Sequence, residues 1–295
     1  MKPAVKRSRA HALGQHFLSH PGLLDKIVRV IDPQPDELVL EVGPGRGALT
    51  AFLAQKAGLV IGVEKDGRLV TILKGRNLSH TTIVHGDILR ADWIALVKES
   101  GIAPGKAKLA GNIPYAISSP LLARVLETRG LFSRCVFLLQ KEFAARLAAG
   151  PGSKKQAPLS ILMQRAFAVK QHFSVSRQAF VPPPDVESAV ISLTPREKPD
   201  FPVDDEPLLA CFLRAAFAQR RKTLANNLER AGLPRNTVAL ALEESGLAPK
   251  VRAEDVPVAA FAALFARFEA ALPLAGILAG NADPGPAVKS HRQPR

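Results

Sequence analysis

Three glycines in Gly43-Pro44-Gly45-Arg46-Gly47 stand where an apolar run, Leu38–Val42, gives way to a helical pattern. Positions without a side chain at a strand end let the backbone approach a ligand closely. The spacing is Gly-x-Gly-x-Gly with Glu41 just ahead. It differs from the Gly-x-Gly-x-x-Gly of dinucleotide folds and suits a ligand without a pyrophosphate. Arg46 is either part of this cradle or a surface residue at the helix start. Glu64 closes the next apolar run, 21 positions after Gly43, where a carboxylate can accept hydrogen bonds from both hydroxyls of a ribose. Asp87, in His85-Gly86-Asp87-Ile88, follows the third run and can accept from the exocyclic amine of an adenine. Taken singly, a glycine turn is more often structural and a strand-end acid more often solvated. Together, at the ends of three consecutive strands, they predict one crevice for an adenosine-containing ligand.

The fourth run ends in Gly111-Asn112-Ile113-Pro114-Tyr115, and Tyr115 is the single tyrosine of the chain. An amine attached to a purine is a poor nucleophile, because its lone pair is delocalised into the ring. If the Asn112 side-chain oxygen and a neighbouring backbone carbonyl accept its two N–H bonds, that lone pair can turn towards a methyl sulfonium. Tyr115 would stack on the target base and hold it flat. Asn112, Ile113, Pro114 and Tyr115 together are the candidate catalytic segment; the plainer alternative is an Asx-type turn closed by proline.

Such a crevice needs a sheet to build it. Val-, Ile- and Leu-rich runs at Leu38–Val42, Leu59–Glu64, Thr81–His85, Lys108–Gly111, Arg134–Gln140, Ala166–Phe173 and Glu187–Leu193 alternate with helical patterns, among them Ala48–Ala57 and Asp66–Arg76. This alternation predicts a doubly wound α/β domain around a largely parallel sheet. The last two runs have little helix between them, so an antiparallel pair is expected at one edge. After Leu193 the segment from Thr194 to Pro202 is proline-rich, charged and aperiodic, and a domain boundary is placed there. Beyond it, Glu206–Gln219, Arg221–Ala231, Pro234–Ser245 and Pro257–Ala271 have helical spacing. The expected architecture is therefore a Rossmann-like sheet domain at 1–198, a smaller helical domain at 199–272 and a disordered tail at 273–295.

Charge points to the partner. Lys and Arg number 40 against 26 Asp and Glu, a net charge of +14, which suits a polyanion. The excess is concentrated in residues 1–200, with 28 bases against 16 acids; residues 201–272 carry nine of each, although Arg214 to Arg230 holds five bases and one acid. The alternative is an ordinary solvated surface. Cys135 and Cys211 lie far apart without metal-ligand spacing, which argues against zinc and against a disulfide scaffold and fits a reducing cytoplasm. No run is long and apolar enough for a membrane span, and the basic opening is not followed by a signal-peptide core. That opening, with no acid before Asp25, also has the composition of a transit peptide. His16 and His20 are four apart but Pro21 follows and no third ligand is suitably placed, so no metal site is expected.

Several segments together resemble the ribosomal RNA small-subunit adenine dimethyltransferase family. They are Leu13-Gly14-Gln15-His16-Phe17-Leu18, Leu40–Thr50, Gly111–Tyr115, Gln140-Lys141-Glu142, Phe180–Val190 and Gln219–Leu228, and the likeness runs from Leu13 to about Phe268. The resemblance implies that S-adenosylmethionine donates methyl groups to N6 of two adjacent adenines near the 3′ end of small-subunit rRNA, on the rRNA itself or a pre-30S particle. It implies a cytoplasmic enzyme acting as a monomer in ribosome biogenesis. It also implies donor contacts at His16, Leu18, Gly43, Glu64, Asp87 and Asn112, a target-base contact at Tyr115 and a stacking role for Phe180; the alternative for Phe180, which stands before three prolines, is simple core packing. Arg220, Arg221 and Lys222 are read most simply as a phosphate-contacting helix face, the alternative being a solvated face.

Three features depart from the family pattern. His16 stands where Asn is usual; Ile113 replaces a commoner Leu, as in the related large-subunit methyltransferases of antibiotic resistance; and Lys155–Ser160 lacks a Tyr-Gly often present. The alternatives these leave are a large-subunit adenine methyltransferase and a non-catalytic assembly or transcription factor on the same fold.

Overall fold

The computed structural model describes residues 16–103, 105–198, 203 and 205–271. Leu13, Gly14, Gln15 and the expected tail at 273–295 lie outside the described residues.

The described chain divides into two compact units, one within Met1–Ala148 and Met163–Pro199, the other within Ala149–Leu162 and Asp200–Arg295. The first is built on a seven-stranded sheet. In chain order its strands are β2 (Leu38–Val42), β3 (Leu59–Glu64), β4 (Thr81–His85), β5 (Ala107–Asn112), β6 (Arg134–Gln140), β7 (Phe167–Val175) and β9 (Ser188–Pro195). They lie in the order β4-β3-β2-β5-β6-β9-β7. The first five are parallel, while β9 runs antiparallel to both β6 and β7. The antiparallel edge pair is thus present, with a bulge between Gln171 and Phe173 that carries β7 on to Val175. A separate two-stranded ribbon pairs β1 (Phe17–Leu18) with β8 (Phe180–Val181).

Strand β2 is buried along its whole length, as a central strand covered on both faces must be. Helix α1 (Pro21–Ile31) starts with proline at its first turn and buries Leu24, Ile27, Val28 and Ile31, one stripe at helical spacing. These side chains join Val39, Val60, Ala110, Val136, Leu138 and Val190 in one core cluster. Helix α2 (Ala48–Leu53) follows the glycine loop. Helix α3 (Gly67–Gly75) is capped by Asp66, whose carboxylate accepts from Arg68 N at 3.0 Å. Helix α4 (Trp93–Glu99) is capped by Asp92 and buries Trp93. Helices α5 (Ser118–Glu127) and α6 (Lys141–Leu147) flank β6 in sequence, and α7 (Pro158–Ala166) runs directly into β7.

Parallel strands diverge from β2 towards β3 and β4 on one side and from β5 towards β6 on the other. The switch point lies between β2 and β5, where an open α/β sheet leaves a crevice beyond its strand ends. Gly111 pairs with Val42 there. A Cβ on Gly111 would stand 2.6 Å from the Val42 carbonyl oxygen, so only glycine permits this strand approach.

The second unit holds helices α8 (Glu206–Ala216), α9 (Leu224–Arg230), α10 (Arg235–Glu244) and α11 (Val258–Ala271). Its core is aliphatic and phenylalanine-rich, with Phe212 against Phe265 at 5.8 Å and Phe268 at 5.7 Å between ring centroids. Residues 149–162 belong here, outside the 199–272 span of the sequence boundary, because Ile161 enters this core and Gln156 Nε2 donates to the Val256 carbonyl at 3.0 Å. The expected helix from Arg221 begins instead at Leu224. Thr223 caps it by accepting from Asn226 N. The buried Asn227 amide clamps the preceding turn, accepting from Gln219 N and donating to the carbonyls of Ala216 and Gln219. Arg220, Arg221 and Lys222 are therefore exposed on a turn between α8 and α9, not on a helix face.

No described helix is long and apolar enough to cross a membrane.

Candidate active site

Beyond the carboxyl ends of β2, β3, β4 and β5 lies a cavity of about 620 Å³. It is lined by His16, Phe17 and Leu18, the Glu41–Arg46 loop, Glu64, Asp87, the Asn112–Tyr115 segment and Phe180, among others. Every residue expected at the donor or the target base thus lines this one cavity, while Arg220, Arg221 and Lys222 lie in the other unit.

The loop after β2 turns by successive positive φ angles, 58° at Gly43 and 61° at Gly45, a conformation that costs an L residue about 1–2 kcal/mol. Glu64 organises this loop. One carboxylate oxygen accepts from Gly45 N at 2.9 Å and the other from Asp66 N at 2.8 Å. Each oxygen retains a second lone-pair direction for a ligand hydroxyl. Glu64 thus shapes the loop as well as facing the cavity, a double use that its strand-end position alone did not reveal.

Glu41 lies one pleat inside the strand end, 2% exposed, and its Oε2 is buried without a hydrogen-bonding partner. Burial pushes its carboxyl up to about 8; the Thr50 hydroxyl offsets part of the rise and the Glu64 charge adds to it. Asp87 sits in the opposite environment. Lys65 Nζ donates to it at 2.8 Å and Leu89 N at 3.0 Å, and the Lys65 bond holds its carboxyl below the usual range.

At the end of β5, Asn112 Nδ2 donates to the His16 carbonyl at 2.7 Å. That bond uses one of the amide's two N–H groups and sets which way the amide is turned, leaving Oδ1 to accept. Ile113 is buried and its N–H donates to the Leu138 carbonyl at 3.1 Å, tying the segment to β6. Pro114 opens the short turn Tyr115–Ile117. Tyr115 Oη and Ser188 Oγ share a hydrogen bond of 3.0 Å, which anchors the ring from β9. The His16 ring lies 6.2 Å from the Tyr115 ring, and its Nδ1 is 2.9 Å from the Pro182 carbonyl oxygen. Phe180 is 2% exposed and packed with Leu18 and Val190, so it is both core and cavity wall.

Sequence reasoning missed Lys65, which pairs with Asp87 and lowers its carboxyl, and Ser188, which holds Tyr115. Lys65 follows Glu64 directly and Ser188 lies inside the Phe180–Val190 motif, so position offered a signal; only the fold supplies their partners. It also missed the guanidinium of Arg46 over the Phe17 ring at 4.9 Å. Among the described residues no cluster of three His, Cys, Asp or Glu could hold a metal ion.

A mixed sheet with these strand-end groups is an α/β methyltransferase fold, and comparisons with known proteins give its family. The ribosomal RNA adenine dimethylase family model matches residues 7–270. The chain is 44% identical over 257 residues to ribosomal RNA small subunit methyltransferase A of Geobacter metallireducens, covering 86% of this chain and 93% of the relative. It is 39% identical over 252 residues to the protein of the same name from Xanthomonas campestris pv. campestris, covering 85% and 92%. A crystal structure of a dimethyladenosine transferase from Plasmodium falciparum superposes with a TM-score of 0.73 at 28% identity, covering 86% of this chain and 98% of that one. The 23S rRNA methyltransferase ErmE superposes with a TM-score of 0.67 at 26% identity, covering 86% and 99%. The chain belongs to the ribosomal RNA adenine dimethylase family.

Proposed function

We propose that this protein transfers methyl groups from S-adenosylmethionine to N6 of two adjacent adenines near the 3′ end of small-subunit rRNA, producing N6,N6-dimethyladenosine. The observation that carries the reading is the amide of Asn112 at the cavity: its bond to the His16 carbonyl sets which way the amide is turned and leaves its oxygen to accept from an incoming amine. Relatives at 36–44% identity named as small-subunit methyltransferases favour that substrate over large-subunit RNA.

The crevice fits the donor. Its volume is within the range of sites that enclose a ligand of nucleoside size. The Glu64 carboxylate suits a ligand that bears hydroxyls, and the neutral Glu41 leaves Oε2 at the cavity as a buried polar atom without a protein partner. Gly43 leaves space beside the loop, with nothing within 4 Å of where a Cβ would stand. In this reading Glu64 accepts from the ribose hydroxyls, Asp87 from the adenine amine, and His16, Leu18 and Gly43 line the remainder of the donor.

Bound there, S-adenosylmethionine supplies an electrophilic methyl: the amine lone pair forms the new N–C bond as the C–S pair departs with a neutral thioether. Asn112 Oδ1 and a backbone carbonyl of the segment accept the amine's N–H bonds and aim its lone pair. Tyr115, fixed by Ser188, stacks on the flipped base, and Phe180 closes the apolar wall. The methylated nitrogen is acidic and releases its proton to water, so no strong base is required. Alignment and exclusion of water carry the rate. All these residues come from one unit of one chain, consistent with a monomer, and RNA as substrate with a cytoplasmic setting.

The test is Asn112→Ala. Methyl transfer to unmodified small subunits should fall by at least tenfold while S-adenosylhomocysteine still binds in calorimetry; undiminished transfer with intact binding contradicts the proposal.

A further inference from the structure

A second groove lies in the sheet unit, away from the donor crevice. On β7, Ala168, Lys170 and His172 face it, as alternate residues of a strand do. The strand beside it contributes Thr194, paired with Ala168, and Ser192, paired with Lys170. Arg29 and Val30 of α1 form the opposite wall and Arg134, the first residue of β6, completes it around a volume of about 430 Å³.

The groove gathers three permanent cations and an imidazole, and none of its eight lining residues is an acid. Arg29 is compensated by Asp25 at 2.7 Å, outside the lining. Arg134 donates to the Val30 carbonyl at 3.2 Å, a bond that fixes its position without neutralising its charge. Lys170 and His172 are exposed. The His172 ring is held below the ordinary histidine range first by desolvation and then by the charges of Lys170 and Arg134. From the packed elements the titratable groups facing it are Lys170 on its own strand, Arg134 on β6 and Arg29 on α1; β9 offers only hydroxyls. Like charges converging without an acid are unfavourable until an anion enters, and the Ser192 Oγ, 2.8 Å from His172 Nε2, adds a hydroxyl that can donate to one.

We propose that this groove binds phosphodiester groups of the RNA substrate, as a site separate from the crevice that holds donor and target base. The inference rests on RNA being the substrate, as proposed above. Arg134 opens β6, whereas the crevice lies beyond the far ends of the parallel strands; a strand of that length separates the two by about 20 Å. A flipped nucleotide cannot reach both, but a folded RNA can. Contacts to phosphodiester groups read no base. They would set affinity and register while the crevice selects the adenine. The excess of bases in residues 1–200 accords with an RNA that contacts this unit broadly.

The test uses the full chain and unmodified small ribosomal subunits, with Lys170→Ala, His172→Ala and the double variant, none of which touches the crevice. Binding is measured across a salt series, beside calorimetry with S-adenosylhomocysteine and the methylation assay. For each phosphate that a variant no longer engages, the slope of log affinity against log salt should shrink by about 0.7–0.9, with S-adenosylhomocysteine affinity unchanged. In wild-type protein, inorganic phosphate should shift the His172 ring resonance, and Lys170→Ala should weaken that effect. Wild-type methylation with an unchanged slope in the double variant overturns the groove and spares the methylation reading. A wild-type protein that neither binds nor methylates subunits overturns the reading beneath it. A phosphate-dependent His172 shift with no change in RNA slope assigns the groove to small phosphates and overturns RNA as its occupant.

Discussion

Replacing Glu41 by Gln should make the sheet unit more stable at pH 8 and leave it nearly unchanged at pH 4.5. The native carboxyl titrates at about 8, against 4.5 for the unburied group. Between those values the folded state keeps a proton that the unfolded state has released, so stability falls as pH rises through the interval. Each unit is worth 1.36 kcal/mol, so the 3.5-unit interval amounts to about 5 kcal/mol at its upper end. Glutamine has the shape of the neutral acid and cannot ionise. The stability difference between variant and wild type should therefore grow from near zero at pH 4.5 to several kcal/mol at pH 8, every other titration cancelling. Trp93 is the only tryptophan, fully buried in the sheet unit, and its fluorescence during urea unfolding reports that unit. A variant whose pH–stability curve runs parallel to wild type, or which is less stable at pH 8, would refute the assignment of a neutral, buried Glu41.

Other residues of the crevice give separate tests. Glu64→Gln leaves one acceptor oxygen for two backbone N–H groups and should cost about 1–3 kcal/mol in the Trp93 transition, with weaker S-adenosylhomocysteine binding by calorimetry. Gly111→Ala forces a Cβ towards the Val42 carbonyl oxygen and should lower stability by about 3 kcal/mol, read in the same transition; a neutral effect would contradict the tight β2–β5 approach. Tyr115→Ala should slow methyl transfer by the loss of about 1–3 kcal/mol of stacking, whereas Tyr115→Phe, which loses only the bond to Ser188, should retain most of the rate in single-turnover assays.

The sheet was legible because its strands are short, rich in Val, Ile and Leu and alternate with helical patterns: β2, β3, β4 and β6 have the bounds read from the apolar runs. The crevice was legible for the same reason, since Gly43, Glu64, Asp87 and Asn112 sit at or just beyond strand ends and strand ends of a parallel sheet share one edge. What sequence could not supply were partners distant along the chain. Ser188 meets Tyr115 across 73 positions, and Asn112 meets the His16 carbonyl across 96. Periodicity also overran the start of α9, where apolar spacing continues through Arg221 but the Thr223 cap and the Asn227 clamp make a turn. The membership of residues 149–162 in the helical unit rests on Ile161 and Leu162 at its core and on bonds from Gly152 N to the Glu254 carbonyl, from Gln156 to the Val256 carbonyl and from Arg220 to the Lys154 carbonyl, partners no local pattern announces.

The most direct measurement is incubation of unmodified small ribosomal subunits with labelled S-adenosylmethionine, then nuclease digestion and mass spectrometry of the nucleosides. N6,N6-dimethyladenosine on two neighbouring adenines near the 3′ end of the small-subunit RNA is the predicted result. Methylation confined to large-subunit RNA, or tight binding without any methyl transfer, would contradict it.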